Sequence, residues 1–164
     1  MIKEISNLFK EDLIFIEDAK DSNEIFKKIG QRLIQKGLVK DNFIDGIIER
    51  EKKYPTGMDL SVIEGQEYNV AIPHTEREYC LSKRIVFVKL KKEVEFKNMI
   101  APEDTLKVRY LFMIINNEND AQTNILANIM DFITNKENMD KLNKTDNEEE
   151  IFEFITDKQT IKNI

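Results

Sequence analysis

His74 is the only histidine in this chain of 164 residues, and it follows directly on the apolar run Ala71-Ile72-Pro73. Proline fixes its own φ and favours extended geometry in the residue before it, so we expect a strand that presents His74 stiffly at its end. A neutral imidazole is a good nucleophile, because its ordinary pKa lies at about 6.5. The alternative, which composition alone favours, is a partly buried structural histidine with a satisfied hydrogen bond.

A second group of residues that could take part in chemistry lies upstream of His74. Arg50 and Glu51 are adjacent, and the turn-forming run Pro55-Thr56-Gly57 follows them. A guanidinium stays charged and offers a planar fork to anionic oxygens, so Arg50 is a candidate clamp for an anion held at His74. The alternative for Arg50 is a solvated cation near a helix C-terminus, where the helix dipole favours positive charge.

The ordered set of these motifs resembles the IIA component of the sugar phosphotransferase system. Within that system it is similar to the fructose–mannitol class, and within that class to the galactitol-type proteins. Each short motif is common alone, whereas the ordered set is specific, and the resemblance covers roughly residues 1–155. The residues that carry it are Arg50-Glu51, Pro55-Thr56-Gly57, Ala71-Ile72-Pro73-His74 and Phe96-Lys97-Asn98-Met99.

The resemblance implies a phosphocarrier. His74 would accept a phosphoryl group from the phosphohistidine carrier protein HPr and pass it to a cysteine of the partner IIB protein. The membrane IIC component would take up and phosphorylate the sugar, so we expect a cytoplasmic phosphotransferase of a galactitol-type or related polyol or sugar system. Two alternatives stay open: a regulatory protein that is phosphorylated on His74 and controls a regulator, and an interaction domain without chemistry.

The resemblance also implies which side chains surround the phosphoryl group. Phosphoryl transfer needs positioning and charge stabilisation more than covalent chemistry from the protein, and Arg50 is the expected clamp. Thr56 and Thr75 are candidate hydroxyl donors to phosphate, although Thr56 also suits a plain turn with the glycine after it. The acceptor that sets the tautomer of His74 is either a backbone carbonyl or Glu67.

Gln122 marks a departure from the family pattern. Much of the class carries a second histidine at the start of the helix that follows the last long strand, and Gln122 stands at that position. A glutamine donates a neutral hydrogen bond but carries neither charge nor proton. We expect Gln122 to lie near His74 and phosphoryl transfer to show a single ionisation in the neutral range. The alternative is an ordinary first-turn helix residue.

Cys80 is the single cysteine of the chain. It forms no internal disulfide and no Cys-x-x-Cys pattern, which fits a reducing cytoplasm, and we interpret it as a small packed hydrophobe. Zinc sites usually need several histidines or cysteines. We therefore expect neither a metal nor a cofactor.

Composition narrows the class of protein. Hydrophobic residues make up 41% and charged residues 34%, with a net charge of -6. The chain therefore has enough apolar residues to bury a core and enough charge to stay soluble. No basic stripe alternates with aromatics, which argues against nucleic acid. Apolar runs fall short of the ~20 residues of a membrane helix, and Met1–Lys10 lacks the apolar segment of a signal peptide. We expect no direct membrane insertion and a monomer or weak oligomer.

Apolar spacing predicts the elements that position the site. Two near-continuous apolar strands indicate burial on both faces of a sheet. The predicted strands are Leu13–Ile16, Arg84–Leu90, Val108–Ile115 and a short one before Pro73. The predicted helices run from an N-cap at Asp21 or Ser22 to Gly37, from an N-cap at Asp41 or Asn42 to Pro55, over Ile125–Ile133 and over Ile151–Ile155. Ile2–Lys10 is predicted as a short helical turn or an edge segment, and residues 135–150 hold a short helix and a loop.

This alternation of strands and helices predicts the fold class. We expect a single three-layer α/β/α domain, with a mixed sheet of about five strands flanked by helices on both faces. By the resemblance, a EIIA type-2 domain spans residues 1–157, and residues 158–164 form a C-terminal tail that frays.

Overall fold

The computed structural model of the protein describes residues 2–119 and 123–156. Over these ranges, five strands and six α-helices follow one another along the chain. The strands are β1 (Ile14–Glu17), β2 (Gly57–Met58), β3 (Asn69–Ala71), β4 (Lys83–Lys97) and β5 (Thr105–Asn116). The helices are α1 (Ile2–Leu8), α2 (Ser22–Gln35), α3 (Phe43–Lys53), α4 (Thr123–Ile133), α5 (Lys136–Lys144) and α6 (Glu148–Thr156).

The strands form one mixed sheet in the order β1-β4-β5-β3-β2. β1 is parallel to β4 and β3 is parallel to β5, whereas the pairs β4–β5 and β2–β3 are antiparallel. The long strands β4 and β5 lie in the middle, where both faces are covered, and this explains their near-continuous apolar sequences. The predicted α/β class with a five-stranded mixed sheet is confirmed.

The two faces of the sheet carry separate hydrophobic cores. Successive side chains of a strand point to opposite faces, and in β4 Val86 and Val88 join one core while Ile85 and Phe87 join the other. Residues of α2 and α3 complete the first core, and residues of α1, α4, α5 and α6 complete the second. The molecule therefore has the three layers that the sequence predicts.

Local signals set the ends of the helices on the first face. The Asp21 side chain accepts a hydrogen bond from the backbone N–H of Glu24 at 2.8 Å, as predicted for the cap of α2. Gly37 ends that helix region with a φ of 72°, which glycine adopts without strain. Asn42 occupies the cap position of α3, but its side chain makes no cap hydrogen bond, so the side-chain cap predicted there is not formed. Pro55 follows the end of α3, as expected.

β4 extends beyond the predicted end at Leu90. Its second half is amphipathic, with Val94 and Phe96 buried and Glu95 exposed between them, and the pairing with β5 shifts between Lys89 and Val94. This half was not predicted because the apolar run ends where only one face remains buried.

Gly57 shows why the turn before β2 needs a glycine. A Cβ atom at this position would lie 2.5 Å from the backbone carbonyl oxygen of Lys97, closer than packed atoms allow. The Gly57 carbonyl also accepts a hydrogen bond from the N–H of Met99 at 2.8 Å. The Thr-Gly motif therefore ties the start of β2 to the end of β4, and the chain that leads to His74 is fixed at that edge.

Lys89 is a charged residue in the middle of β4, with only 2% of its surface exposed. Its Nζ donates to the carbonyl oxygens of Leu142 at 2.8 Å and Thr145 at 2.9 Å, and to Oδ1 of Asp146 at 2.9 Å. These acceptors lie at the C-terminal end of α5, where the helix dipole favours a cation. Lys89 therefore anchors α5 on the sheet.

Candidate functional site

His74 lies just beyond the end of β3, which is paired with β5 on one side and β2 on the other. The carbonyl of Pro73 accepts a hydrogen bond from the N–H of Ile114 at 2.9 Å, and His74 forms a parallel bridge with Ile114. The backbone on both sides of His74 is therefore held against β5. The predicted short strand before Pro73 is confirmed, although it ends at Ala71.

The ring of His74 is oriented by its own backbone. Its Nδ1 lies 2.9 Å from the carbonyl oxygen of Ile72. A carbonyl oxygen only accepts, so Nδ1 carries the proton and Nε2 keeps an unshared electron pair. Of the two acceptors considered from the sequence, the backbone carbonyl is the partner, and Glu67 is exposed. Nε2 is therefore the ring nitrogen whose electron pair is free for chemistry.

Burial is the main influence on the pKa of His74. It lowers the pKa from its ordinary value because it disfavours the charged imidazolium, and the Arg50 guanidinium acts in the same direction. The hydrogen bond to Ile72 and the Glu76 carboxylate oppose this shift. The balance leaves His74 neutral, and so nucleophilic, at neutral pH.

Arg50 lies in the last turn of α3, on the same side of the helix as the buried Phe43 and Ile47, where it is half-buried. Its guanidinium carbon lies 4.4 Å from the centre of the Tyr54 ring, and its Nη1 lies 4.0 Å from Oε2 of Glu76. Its Nε is buried, and no hydrogen-bond partner for it exists among the described residues. A half-exposed ion pair at this distance is weak, so the guanidinium retains donors for an anion.

An open cleft of about 300 Å³ brings these side chains together at the end of β3 and β5. Ligands of open α/β sheets commonly bind outside the carboxyl ends of the strands, and β3 and β5 run parallel, so both end here. The side chains that line the cleft include Arg50, His74, Thr75, Glu76, Arg77 and Asn116.

The structure separates the two threonines that the sequence offered as phosphate ligands. Thr75 is buried and lines the cleft, and its hydroxyl lies 3.3 Å from Oε2 of Glu76. Thr56 does not line it: its N–H and its hydroxyl both donate to the carboxylate of Glu51 at 2.8 Å. The hydroxyl of Thr56 is thus already engaged, and the turn role is the one that the structure supports.

Glu51 is the residue whose importance the sequence did not reveal. Burial raises the pKa of its carboxyl group to about 7, although the two hydrogen bonds from Thr56 pull that pKa down. One sequence signal for the contact between Glu51 and Thr56 is their short spacing, which allows the chain to fold back onto the end of α3 after Pro55. Glu51 therefore joins α3 to the strand edge that leads to the cleft.

The structure tests the prediction for Cys80 but not the one for Gln122. Gln122 lies outside the described residues, so its place near His74 stays a prediction. Cys80 is 5% exposed, and burial raises the pKa of its thiol, so the thiol stays protonated. Cys80 is therefore a packed residue, as predicted.

Two wider features of the described residues bear on the site. Within residues 2–119 and 123–156, no cluster of three or more His, Cys, Asp or Glu residues is placed to bind a metal ion. Over the same part of the chain, none of the helices combines the length and the apolar character needed to span a membrane.

We expect His74 to titrate below pH 6.5, its ordinary pKa. A lowered pKa means that the neutral ring persists as the pH falls below 6.5, and that its ability to accept a phosphoryl group is lost only below the folded-state pKa. A pH titration of the imidazole NMR signals measures this directly, because the chain has a single histidine. A value at or above 6.5 would contradict the prediction.

The same titration tests the neighbours of His74. Arg50→Ala should raise its pKa, because the guanidinium lowers it, and Glu76→Gln should lower it, because the carboxylate raises it. A rate profile is a less direct measure, because burial also raises the pKa of Glu51 to about 7. The single neutral-range ionisation expected from the sequence is therefore not what this site predicts, since Glu51 adds a second group that titrates there.

Comparison with known proteins identifies the family. The family model described as "Phosphoenolpyruvate-dependent sugar phosphotransferase system, EIIA 2" matches residues 7–158. The mannitol-specific EIICBA component of Buchnera aphidicola subsp. Acyrthosiphon pisum is 26% identical over 152 residues, which are 91% of this chain and 22% of that protein. The galactitol-specific EIIA component of Escherichia coli K12 is 28% identical over 97 residues, which are 59% of this chain and 61% of that protein. The chain thus spans less than two thirds of either relative.

The solved structures agree on the fold. The mannitol enzyme IIA in its complex with phosphorylated enzyme IIB, from Escherichia coli, has a TM-score of 0.69 to this chain at 20% identity. The match covers 96% of this chain and 100% of that one. The resemblance carried by the motifs around Arg50 and His74 is confirmed: the chain belongs to the EIIA 2 family of the phosphoenolpyruvate-dependent sugar phosphotransferase system.

Proposed function

We propose that this protein is the IIA phosphocarrier of a sugar phosphotransferase system. His74 accepts a phosphoryl group from the phosphohistidine of HPr and passes it to a cysteine of a IIB protein. The observation that carries the proposal is the His74 ring, whose Nδ1 is held by the Ile72 carbonyl at 2.9 Å while the cleft also presents Arg50. This leaves Nε2 as an oriented nucleophile beside a permanent positive charge.

Acceptance of the phosphoryl group begins with the electron pair of Nε2. This pair attacks phosphorus in line with the P–N bond of the carrier, a new P–N bond forms on His74, and the old bond's electrons return to the carrier imidazole. The Arg50 guanidinium balances charge on the phosphoryl oxygens. The proton stays on Nδ1, and the Ile72 carbonyl stabilises the positive charge that the ring acquires.

Donation reverses the same geometry. A thiolate sulfur of the IIB cysteine attacks phosphorus, an S–P bond forms, and the electrons of the P–N bond return to Nε2. The ring again becomes neutral with its proton on Nδ1, so His74 is ready for another cycle. Thr75 lines the cleft and is the threonine that we propose as a further donor to the phosphoryl oxygens, and Gln122 keeps its proposed role as a neutral donor.

The names of the relatives guide the choice of system. One is a mannitol-specific and the other a galactitol-specific protein, so we propose a polyol or related sugar system, of the galactitol type that the motifs resemble. The sugar itself would be taken up by the membrane IIC component, and this protein would act in the cytoplasm with HPr and IIB.

The test is reconstitution of the relay. The protein is incubated with phosphoenolpyruvate, the first kinase of the relay and HPr, and its intact mass is followed, with HPr omitted as the control. We expect a mass gain of one phosphoryl group that depends on HPr and is lost when the IIB protein is added. No gain in the complete mixture would refute the proposal. A stable phosphoprotein that no IIB cysteine discharges would instead indicate the regulatory alternative.

A further inference from the structure

The carboxylate of Glu51 is committed to a single residue across the turn at Pro55. Its Oε2 accepts the N–H of Thr56 and its Oε1 accepts the hydroxyl of Thr56, both at 2.8 Å. Thr56 is 2% exposed. A carboxylate that enters such surroundings loses hydration and depends on its hydrogen bonds. Glu51 therefore fixes both the backbone and the side chain of Thr56.

Thr56 in turn holds the residue that orients the nucleophile. Its carbonyl oxygen accepts the N–H of Ile72 at 3.1 Å, next to the antiparallel pairing of Gly57 with Ala71. Thr56 thus donates its own N–H to Glu51 and accepts the N–H of Ile72 at its carbonyl oxygen. A change at Glu51 is therefore transmitted to Ile72 through one intermediate residue.

Ile72 completes the connection to the imidazole. Its carbonyl oxygen accepts the Nδ1 proton of His74 at 2.9 Å, and Pro73 between them has a fixed φ that restricts relative rotation. One hydrogen-bonded series thus runs from a helix-end carboxylate to the nucleophile. We call it the Glu51 series, and its members are Glu51, Thr56, Ile72 and His74.

We propose that Glu51 is a positioning residue for phosphoryl transfer, which acts through Thr56 and Ile72 to hold His74 in the Nδ1–H tautomer with Nε2 free to attack. The effect on transfer rate rests on the proposed function, whereas the tautomer is a property of the resting protein. Neighbouring residues of α3 then have separate tasks: Arg50 serves the phosphoryl group, and Glu51 serves the ring that receives it.

The variants that test the proposal differ in how much of the series they break. Glu51→Ala removes both bonds to Thr56. Thr56→Val removes the hydroxyl but keeps the branched shape and the backbone groups. Glu51→Gln retains both contacts, because the amide oxygen accepts from N–H and the amide nitrogen donates to the hydroxyl oxygen. The matched control is Glu49→Ala on the same helix, where the exposed Glu49 pairs with Lys53 at 3.8 Å.

The first measurement is the ¹⁵N spectrum of the single imidazole at alkaline pH, which reports the tautomer without any partner protein. The wild type should show Nδ1 protonated and Nε2 unprotonated, and Glu51→Ala should show a mixture of the two tautomers.

The second measurement is the rate of phosphorylation by phosphorylated HPr. Glu51→Ala should lower this rate about tenfold, on the scale of a hydrogen bond, with an unchanged KM for HPr. Thr56→Val should have a rate between those of Glu51→Ala and the wild type. Glu51→Gln should recover most of the rate, and Glu49→Ala should match the wild type.

Three results would overturn the proposed role of Glu51. A folded Glu51→Ala with the wild-type tautomer, or with the wild-type rate, overturns it, and so does a Glu51→Gln that loses as much as Glu51→Ala. If Glu51→Ala does not fold, the same criteria apply to Thr56→Val. A wild-type protein that HPr does not phosphorylate refutes the proposed function instead, and the tautomer comparison still decides the role of Glu51.

Discussion

His74→Ala is expected to abolish phosphorylation completely. The chain has no second imidazole that could replace His74. The buried thiol of Cys80 has a raised pKa, so it stays protonated and cannot replace the nucleophile either. The variant should still fold, at a cost of about 1–3 kcal/mol, because the Ile72 carbonyl loses its donor. Intact mass after incubation with phosphoenolpyruvate, the first kinase and HPr measures the first effect, and urea unfolding measures the second.

The chemistry of the bound phosphate provides the control for this prediction. A phosphoryl group on nitrogen is lost in acid and survives in base, so the mass gain of the wild type should disappear after brief acid treatment. Phosphorylation of folded His74→Ala to the wild-type level would contradict the assignment. An acid-stable mass gain in the wild type would point to a hydroxyl acceptor and contradict it as well.

Arg50→Ala is expected to slow phosphoryl transfer by about 10²–10³, the scale on which single transition-state donors act. The guanidinium lines the cleft, and its ion pair with Glu76 at 4.0 Å is weak, so its terminal nitrogens are available to a phosphoryl oxygen. Arg50→Lys should recover only part of the rate, because an ammonium supplies charge without the planar fork. Rapid-quench measurement of transfer from phosphorylated HPr gives these rates.

Lys53→Ala is the matched control for Arg50, since Lys53 lies in the same last turn of α3 and is exposed beside Glu49. It should transfer at the wild-type rate. An Arg50→Ala protein with an unchanged rate would remove Arg50 from the site, and an equal loss in both variants would show that only the net charge of the helix end matters.

Much of the fold was accessible to sequence reasoning because it depends on burial. The central strands β4 and β5 are covered on both faces, and their apolar runs were recognisable for that reason. β2 was missed because two residues carry no periodicity, and its position depends on the close approach of Gly57 to Lys97. The side-chain cap predicted for α3 is wrong: Asn42 has a suitable side chain and stands at the cap position, but it makes no cap hydrogen bond.

The site was predictable only where side-chain type decides the chemistry. His74 and Arg50 stand out as an imidazole after a proline and a guanidinium at a helix end, and the structure places both at one cleft. The acceptor for the ring could not be named in advance, because the carbonyl of Ile72 is a backbone atom without a sequence signal. The engagement of Thr56 by Glu51 was equally hidden, since it arises when the chain folds back after Pro55.

The buried ammonium of Lys89 has a consequence for the order in which this protein assembles. A central strand can collapse onto any apolar surface, but here collapse without α5 would leave a charge in the interior with no acceptors, at a cost of several kcal/mol. The acceptors at Leu142, Thr145 and Asp146 come from a segment far along the chain. We therefore expect the second face of the sheet to pack around Lys89 only together with the segment that holds Leu142, Thr145 and Asp146, so that burial of this strand depends on contacts distant in sequence.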